Sequence, residues 1–266
     1  MTHSVSQGHS VRMARIFRSD GRAVIMAMDD ALIVGPTEGL INPAELLKMS
    51  ADSGIDAILA FPGTLSLVAP GQQIGRILNL TASTAHSRHT RKYFVAPVDL
   101  AAHAGADAVA VHVNVTAVDE GEMIENLGAV VAAARQVALP VMAIMYPRRE
   151  GNDGDDNYMQ LRRKSPEEYA KLVAHGVRIA AELDVDFIKT RYTGSSRSFR
   201  AVTACALGKP VVVAGEGLAA LDDVLVMTAD SLEGGGCGVS IGRNIHQRSG
   251  DRDKMIQRLV AVVHGS

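Results

Sequence analysis

Runs of consecutive apolar residues recur along the chain, and they are continuous rather than alternating with polar positions. Continuous hydrophobicity is typical of strands that are buried on both faces, as in a parallel sheet. Seven runs are clear, at residues 23–28, 57–60, 108–113, 141–145, 187–188, 211–214 and 238–241. A weaker run at residues 76–80 raises the predicted number of strands to eight.

Stretches with apolar residues at a spacing near that of a helical turn lie between these runs, and they predict helices. The clearest start is Ser165-Pro166-Glu167-Glu168, which has an N-cap serine and a proline at the first helical position. We expect this helix to run to Leu183. Further helices are predicted at residues 119–137, 198–206, 221–232 and 251–263.

The turns that lead into several strands repeat one pattern, as near-equivalent strand–helix units would produce. The repeats occupy residues 53–57, 104–108 and 182–186. Eight strands alternating with helices in about 250 residues predict an α/β fold, a single-domain (β/α)8 TIM barrel that spans residues 1–266. An open, doubly wound sheet is the alternative. Residues 1–10 are expected to be flexible.

One segment departs from the alternation of predicted strands and helices. Residues 148–164 are rich in Gly, Asp, Asn and Arg, and they follow directly on the apolar run at 141–145. In a barrel this position is a long loop on the C-terminal face, where active sites are built. A mobile surface loop without a functional role is the alternative interpretation.

Charge and cysteine content narrow the class of protein. The 266 residues carry 27 Lys and Arg against 29 Asp and Glu, a formal net charge of −2, so no basic surface for nucleic acid is indicated. Two cysteines, Cys205 and Cys237, imply no disulfide framework and favour a reducing compartment. The sequence shows no signal peptide and no apolar window of about 18–20 residues. We therefore expect a cytoplasmic protein without a membrane partner.

Sequence signatures of metal or serine chemistry are lacking. The nine histidines form no HxH or HExxH pair, and the two cysteines lie far apart in the sequence. Neither a serine nucleophile elbow nor a P-loop pattern occurs. The sequence therefore predicts neither a metal nor a cofactor.

A lysine closes the sixth predicted strand, at the end where a barrel places its functional residues. Lysine is costly to bury unless it is paired or used, and desolvation lowers its pKa toward that of a nucleophilic amine. Lys189 is therefore a candidate for Schiff-base formation with a carbonyl substrate. The alternatives are a lysine whose amine reaches water from the strand end, or a structural ion pair with Asp29.

Schiff-base chemistry also needs a group that moves protons, and two candidates end other strands. Asp29 follows the first strand and Tyr146 follows the fifth, so both would project into the same barrel mouth as Lys189. The alternatives are a turn cap for Asp29 and an amphipathic residue at the core edge for Tyr146. His112, in the fourth strand, is a candidate for substrate binding, although a hydrogen-bonded histidine that lines the barrel is favoured over a catalytic role.

The last two predicted strands end in glycine-containing loops. In barrels, the loops after strands seven and eight commonly hold phosphate through backbone N–H groups, and an arginine adds a charge-assisted bond. The candidate phosphate-binding residues are Gly215, Glu216, Gly217, Gly242 and Arg243.

Several motifs together identify a likeness to a known family over nearly the whole chain, from about Arg12 to the end. The chain resembles the archaeal-type class I aldolases, a group that includes fructose-bisphosphate aldolase and 2-amino-3,7-dideoxy-D-threo-hept-6-ulosonate synthase. The matching segments lie at residues 15–17, 28–29, 35–36, 39–40, 105–109, 112–115, 145–148, 188–190, 192–194, 199–200, 211–215 and 242–245.

The resemblance implies a (β/α)8 barrel that forms homo-oligomers and needs no metal. By motif position it also implies that Lys189 is the Schiff-base lysine, Tyr146 the acid/base tyrosine and Asp29 the catalytic carboxylate. It further implies that the loops at 215–217 and 242–243 bind the substrate phosphate.

The chain departs from the family pattern at four places. Asp30-Ala31 replaces a His-Gly pair, Glu216 replaces a glycine of the phosphate loop, His246 replaces a phenylalanine, and the loop at 148–164 is longer. A carboxylate in that loop would weaken phosphate binding unless it points away or pairs with a cation such as Arg243. The departures fit an enzyme of a specialised pathway.

The sequence therefore predicts a metal-independent class I aldolase that acts on a ketose-phosphate donor of the dihydroxyacetone phosphate type. Aspartate semialdehyde and glyceraldehyde 3-phosphate are the candidate acceptors. Arg191 and the pair Arg148 and Arg149 are expected to meet an acceptor carboxylate. Three alternatives stay open: a transaldolase-type synthase, a thiolase-like acyl transferase that uses the same lysine, and a non-catalytic barrel that binds phosphorylated sugars.

Overall fold

The chain folds into a closed barrel of eight parallel strands, and its computed structural model describes residues 6–151, 154–248 and 250–265. Two further short strands, Thr81–Ala82 and Tyr93–Phe94, pair antiparallel with each other outside the barrel. This closure confirms the predicted TIM barrel and is incompatible with an open sheet. The strands are β1 (Ala23–Ala27), β2 (Ala57–Ala60), β3 (Gly75–Asn79), β4 (Thr81–Ala82), β5 (Tyr93–Phe94), β6 (Ala108–Val115), β7 (Val141–Pro147), β8 (Phe187–Thr190), β9 (Val211–Ala214) and β10 (Gly238–Ile241).

Helices surround the barrel and follow its strands. They are α1 (Gln7–Ala14), α2 (Asp30–Val34), α3 (Pro43–Asp52), α4 (Pro62–Leu65), α5 (Val98–His103), α6 (Glu120–Gln136), α7 (Met159–Lys164), α8 (Pro166–Glu182), α9 (Ser196–Thr203), α10 (Leu221–Glu233), α11 (Arg243–His246) and α12 (Arg252–His264), with a 3-10 helix at Glu38–Leu40. In the parts of the chain that the structure describes, no helix is long and apolar enough to cross a membrane.

The five predicted helices are all present, as α6, α8, α9, α10 and α12, with ends within a few residues of their predicted positions. Ser165 precedes α8 as expected, but its side chain makes no capping hydrogen bond. The start of α8 therefore rests on Pro166, whose fixed φ suits the first helical turn.

Each barrel strand presents one set of side chains to the interior and the other to the helices. In β8, Ile188 packs in the outer apolar layer, whereas Phe187 belongs to the cluster inside the barrel. Phe17 closes the N-terminal end of that interior, because its ring meets the ring of Phe187 edge to face at 5.3 Å. The barrel interior is therefore apolar at this end.

Residues 7–10, which belong to the stretch expected to be flexible, form the first turn of α1, and residues 1–5 lie outside the described residues. The Ser6 side chain accepts a hydrogen bond from the His9 N–H and caps the helix. Arg12 then donates to the carbonyl oxygens of Val137 and Ala138, at 3.0 and 2.8 Å. These bonds fasten the helix to the barrel.

The repeated turns noted in the sequence have one structural function at the N-terminal end of the barrel. In each repeat an aspartate just before a strand exchanges two hydrogen bonds with one residue of the neighbouring strand. Its backbone N–H donates to that residue's carbonyl, and its carboxylate accepts from the same residue's N–H. The pairs are Asp56 with Val24, Asp107 with Arg76 and Asp186 with Val141, with carboxylate distances of 2.6, 3.0 and 2.7 Å.

Candidate active site

A cavity of about 100 Å³ opens at the C-terminal mouth of the barrel. It brings together nine of the residues that the sequence singled out: Asp29, His112, Tyr146, Lys189, Arg191, Gly215, Glu216, Gly242 and Arg243. Two predicted site residues, Arg148 and Gly217, do not line it. The mouth of the barrel is therefore the candidate active site, with those two residues around its edge.

Lys189 points into the barrel because side chains alternate along β8, and the preceding inward residue is the buried Phe187. The lysine is 6% exposed and lines the cavity. Among the described residues, its amine makes no hydrogen bond and no ion pair with Asp29. This geometry disfavours a structural ion pair and leaves the amine facing the cavity.

Asp29 is 9% exposed and lies at the end of β1. The Asn79 amide donates a 2.9 Å hydrogen bond to one carboxylate oxygen of Asp29. Burial raises the pKa of this carboxyl, the positive charge of Lys189 opposes that rise, and the neighbouring Asp30 adds to it. Asp29 stands before α2, but its side chain makes no capping bond, which disfavours the turn-cap interpretation.

Tyr146 is held between two other side chains at the end of β7. The guanidinium of Arg191 lies 4.9 Å from the centre of the phenol ring, and the His112 ring meets it edge to face at 5.0 Å. His112 in turn has its Nε2 3.0 Å from the side-chain oxygen of Asn114. Ring contacts on two sides therefore fix the orientation of the phenol.

His112 has the environment of a neutral, hydrogen-bonded histidine. Burial holds its pKa well below the usual range, and the nearby cations Lys92 and Arg148 lower it further. This matches the expectation that His112 lines the barrel, and it leaves the ring in contact with the cavity.

The two glycine-containing loops meet above the cavity and are joined by one buried asparagine. The Asn244 amide donates to the carbonyl oxygens of Gly215 and Gly217, at 2.7 and 2.8 Å. A Cβ added at Gly215 would lie 2.9 Å from the side chain of Ile241, and one at Gly242 would lie 2.7 Å from the carbonyl oxygen of Ala27. These close approaches explain why both positions need glycine.

Glu216 pairs with Arg162, a cation that the sequence did not single out. Its carboxylate accepts two hydrogen bonds from Arg162 of α7, at 2.9 and 2.7 Å, rather than pairing with Arg243. The positive charge of Arg162 offsets the negative charge of Glu216, which would otherwise repel a phosphate bound at this loop. The backbone of Glu216 has a φ of 52°, the left-handed region that favours glycine.

Arg243 lies near Asp30, the other carboxylate that departs from the family pattern. Its Nε lies 3.6 Å from Asp30, and the fully buried His246 lies 3.3 Å from the same carboxylate oxygen. Burial opposes ionisation of Asp30, but His246 and Arg243 outweigh it and lower the pKa of this carboxyl. Two of the departures from the family pattern, at positions 30 and 246, therefore contact each other.

The long loop is partly helical, since α7 occupies residues 159–164, and residues 152–153 lie outside the described residues. Arg191 reaches this segment and donates to the Asn157 side chain at 2.8 Å. Arg148 lies beside Arg191, and burial together with that neighbouring charge lowers the pKa of Arg148 to about 10.

Sequence reasoning missed Lys92, which is 3% exposed behind Asp29 and His112. Its amine donates to the Ser83 hydroxyl at 2.7 Å. Burial lowers the pKa of Lys92 to about 8, and the charge of Arg148 adds to this effect. No apolar run marks this position, because Lys92 precedes the short β5 outside the barrel.

Sequence reasoning also gave no role to Arg162, Asn79 or Ser240. Arg162 and Asn79 bind carboxylates that are distant in the sequence, and Ser240 lines a cavity that exists only in the folded chain. Across the described residues, no group of three or more His, Cys, Asp or Glu side chains is placed to hold a metal ion.

The chain is similar to known aldolases over most of its length. The model of the DeoC/LacD family of aldolases matches residues 23–248. A 2-amino-3,7-dideoxy-D-threo-hept-6-ulosonate synthase of Halobacterium salinarum is 34% identical over 259 residues, which cover 97% of this chain and 92% of that protein. A 2-amino-4,5-dihydroxy-6-oxo-7-(phosphonooxy)heptanoate synthase of Streptomyces griseus is 33% identical over 261 residues, with 97% and 90% covered.

Solved structures extend the similarity to the fold. An archaeal fructose 1,6-bisphosphate aldolase superposes with a TM-score of 0.84 at 27% identity, over 97% of this chain and 100% of that one. An archaeal fructose-1,6-bisphosphate aldolase with its catalytic lysine covalently bound to the carbinolamine intermediate gives 0.84 at 26% identity, again over 97% and 100%.

Proposed function

The chain belongs to the DeoC/LacD family of aldolases, and we propose that it makes or breaks a carbon–carbon bond through a Schiff base on Lys189. The enzyme is a class I aldolase. The observation that carries the assignment of Lys189 is its burial at the cavity wall with an amine that makes no hydrogen bond and no ion pair among the described residues. An amine that faces the cavity without a hydrogen-bond or ion-pair partner is available to attack the carbonyl carbon of a bound substrate.

In the forward direction the amine of Lys189, once it has given up its proton, attacks the ketone carbon of the donor and forms a carbinolamine. Loss of water gives an iminium, which withdraws electrons from the adjacent carbon. That carbon releases a proton, and the resulting enamine attacks the carbonyl carbon of the aldehyde acceptor. Addition of water to the new iminium releases the product and restores the amine.

Tyr146 and Asp29 are the groups we assign to the proton transfers. Both line the cavity with Lys189, and each is oriented by a second side chain. A carboxyl with a raised pKa is suited to accept and return a proton. The phenol of Tyr146 supplies a second donor at the wall of the cavity that β7 forms.

The phosphate end of the donor is proposed to sit at the loops around Gly215 and Gly242. Both glycines line the cavity, and Arg243 beside them provides a positive charge. Arg162 neutralises Glu216, which would otherwise repel the phosphate. Phosphate binding at these loops is therefore compatible with the carboxylate of Glu216.

The names of the two curated relatives guide the choice of acceptor. Both describe seven-carbon amino acids that carry a ketone, and one places a phosphonooxy group on carbon 7. A three-carbon ketone phosphate and a four-carbon amino acid aldehyde would join to give that carbon count. We therefore favour dihydroxyacetone phosphate and aspartate semialdehyde as substrates, with Arg191 and Arg148 near the acceptor carboxylate.

Product analysis tests this function directly. The enzyme is incubated with dihydroxyacetone phosphate and aspartate semialdehyde, with a chelator present, and the products are identified by mass spectrometry. We expect a seven-carbon amino keto phosphate from the wild type and none from Lys189→Met. Lys171→Met, at an exposed lysine paired with Glu168, is the matched control and should keep wild-type activity. Turnover by Lys189→Met, or no condensation product with either candidate acceptor, would refute the proposal.

We further propose that the enzyme works in the cytoplasm as a homo-oligomer, on small phosphorylated molecules and without a nucleic-acid or membrane partner. Support comes from the near balance of charge and from the expectation of the resemblance. Light scattering of the purified chain would test the oligomeric state.

A further inference from the structure

The candidate active site contains a buried hydroxyl group that makes no hydrogen bond. Ser240, on β10, is 1% exposed and lines the same cavity as Lys189. Within the described residues its Oγ has no hydrogen-bond partner. Leaving a buried hydroxyl unpaired costs free energy, so such a group in a native protein calls for an explanation.

Other buried hydroxyls of this chain show how a structural one is satisfied. Thr190, also in the barrel wall, donates to the Met145 carbonyl at 2.8 Å. Ser231, fully buried in α10, donates to the Thr228 carbonyl at 2.8 Å. Ser240 differs because its side chain faces the interior of the barrel, where no backbone carbonyl lies within reach.

Small side chains line the cavity near Ser240. In the sheet, Ser240 is level with Ala214 of β9 and with Ile25 of β1. Ala214 and Ala27 line the same cavity as Ser240, and their methyl groups leave space there that a larger side chain would occupy. The hydroxyl is therefore available to a molecule bound in the cavity.

Ser240 lies near both parts of the proposed donor site, Lys189 and the phosphate loop at Gly242. Strand β9 lies between β8, which carries Lys189, and β10, which carries Ser240. Ser240 is also two residues before Gly242, so it lies about 6.7 Å deeper along the strand than the phosphate loop. A donor attached to Lys189 with its phosphate at that loop has its carbon skeleton close to Ser240.

We propose that Ser240 is a substrate-binding residue that determines donor specificity, by forming a hydrogen bond with the hydroxyl on the carbon next to the imine. The proposal rests on the proposed function, because it takes the donor to be bound on Lys189. The ligand class is an α-hydroxy ketone phosphate. A site built to bond a substrate hydroxyl discriminates against an analogue that lacks it, since the protein group is then left unpaired.

Two ketone phosphates that differ in this one hydroxyl provide the test. Dihydroxyacetone phosphate carries it, and hydroxyacetone phosphate has a methyl group instead. Imine formation with each is measured by borohydride trapping and intact-mass spectrometry over a range of concentrations. We expect the wild type to prefer the hydroxylated donor, and Ser240→Ala to reduce that preference about tenfold or more. The comparison between enzymes cancels the intrinsic difference in reactivity of the two ketones.

Ser231→Ala is the matched control, because it removes a buried serine hydroxyl that already has a partner. It should lower the melting temperature and keep the wild-type preference, whereas Ser240→Ala should keep or raise the melting temperature. An unchanged preference in Ser240→Ala would overturn the assignment of Ser240. Absence of any adduct in the wild type would contradict the proposed function itself, so the two failures are distinguishable.

Discussion

At the scale of single residues, the mouth of the barrel combines buried charges of both signs that do not pair one to one. Lys189 and Lys92 are buried cations, and among the described residues neither makes an ion pair with a carboxylate. Asp29 is a buried carboxylate held by an amide rather than by a cation. Burying such groups lowers the stability of the fold, and sites that use them in catalysis retain them despite this cost.

Asp29 gives a prediction in which stability and activity move in opposite directions. Above its raised pKa, the folded protein holds a buried negative charge that the unfolded chain holds in water. Asp29→Asn should therefore raise the melting temperature near neutral pH. That advantage should shrink as the pH falls toward the ordinary range of aspartate, where both states bind the proton. Activity should fall by about 10²–10⁴-fold with the loss of the proton acceptor.

Melting curves of both proteins across this pH range, together with kcat, check the prediction. Asp99→Asn, at an exposed carboxylate, is the control and should change neither quantity. A loss of stability in Asp29→Asn at neutral pH would contradict the account of Asp29 as a strained, functional carboxylate.

Arg191 gives a prediction about the acceptor. The Arg191→Ala change should raise KM for acceptors that carry a carboxylate by about 10-fold or more, since a hydrogen bond to a charged group is lost. Acceptors without a carboxylate should be affected much less. Because the guanidinium also lies over the Tyr146 ring, a modest drop in kcat is expected with every acceptor. Equal increases in KM for charged and neutral acceptors would rule out this role.

At the scale of elements, an ion pair joins the long loop to the phosphate loop. Arg162 lies in α7, and Glu216 lies just after β9, with their side chains 18% and 19% exposed. The sequence indicated that Glu216 would weaken phosphate binding unless its side chain pointed away or met a cation, and it did not indicate that this cation is Arg162. Arg162 is 54 residues away along the chain, and only the fold of the segment at 148–164 brings the two together.

A double-mutant cycle tests the function of this pair. Arg162→Ala leaves the Glu216 carboxylate unneutralised beside the donor phosphate, so KM for a phosphorylated donor should rise about 3–10-fold. Glu216→Gly removes both the charge and the left-handed φ of a non-glycine residue, and its KM should be equal to or below that of the wild type. The double variant should resemble Glu216→Gly. If Arg162→Ala raises KM equally in both backgrounds, Arg162 does not act through Glu216.

At the scale of the whole molecule, we assign stability to the N-terminal end of the barrel and catalysis to the C-terminal end. The N-terminal end carries the repeated aspartates and the helix α1, and the C-terminal end carries the cavity. Substitutions at the N-terminal end should therefore change stability without changing catalysis.

Asp107 is the sharpest test of this division. Its buried carboxylate accepts hydrogen bonds from the Arg76 N–H at 3.0 Å and from the Arg15 guanidinium at 2.9 Å. Asp107→Ala leaves a backbone donor unpaired and should lower the free energy of unfolding by about 1–3 kcal/mol, with kcat unchanged. Asp222→Ala, at an exposed carboxylate paired with Arg258, should cost less than about 1 kcal/mol. Denaturant titrations of both variants and steady-state kinetics check this, and a large loss of kcat in Asp107→Ala would count against the division.

The sequence predicts the barrel well because eight continuous apolar runs and the helices between them are local patterns. It also predicts Asp29, Tyr146 and Lys189 as neighbours, because strand ends in a barrel converge on one mouth. It does not reveal Lys92 or Ser240, whose importance depends on burial and on what lies beside them. For the same reason it does not identify Arg162 as the partner of Glu216, because Arg162 is distant in the sequence and is brought near only by the fold.

The central claim is that the reaction proceeds through an imine on Lys189, and one measurement addresses it most directly. The wild type is treated with dihydroxyacetone phosphate and borohydride, digested, and mapped by peptide mass spectrometry. We predict a single donor-sized adduct on the peptide that contains Lys189, absent when the ketone phosphate is omitted. An adduct on Lys92, or on any other lysine in place of Lys189, would contradict the account.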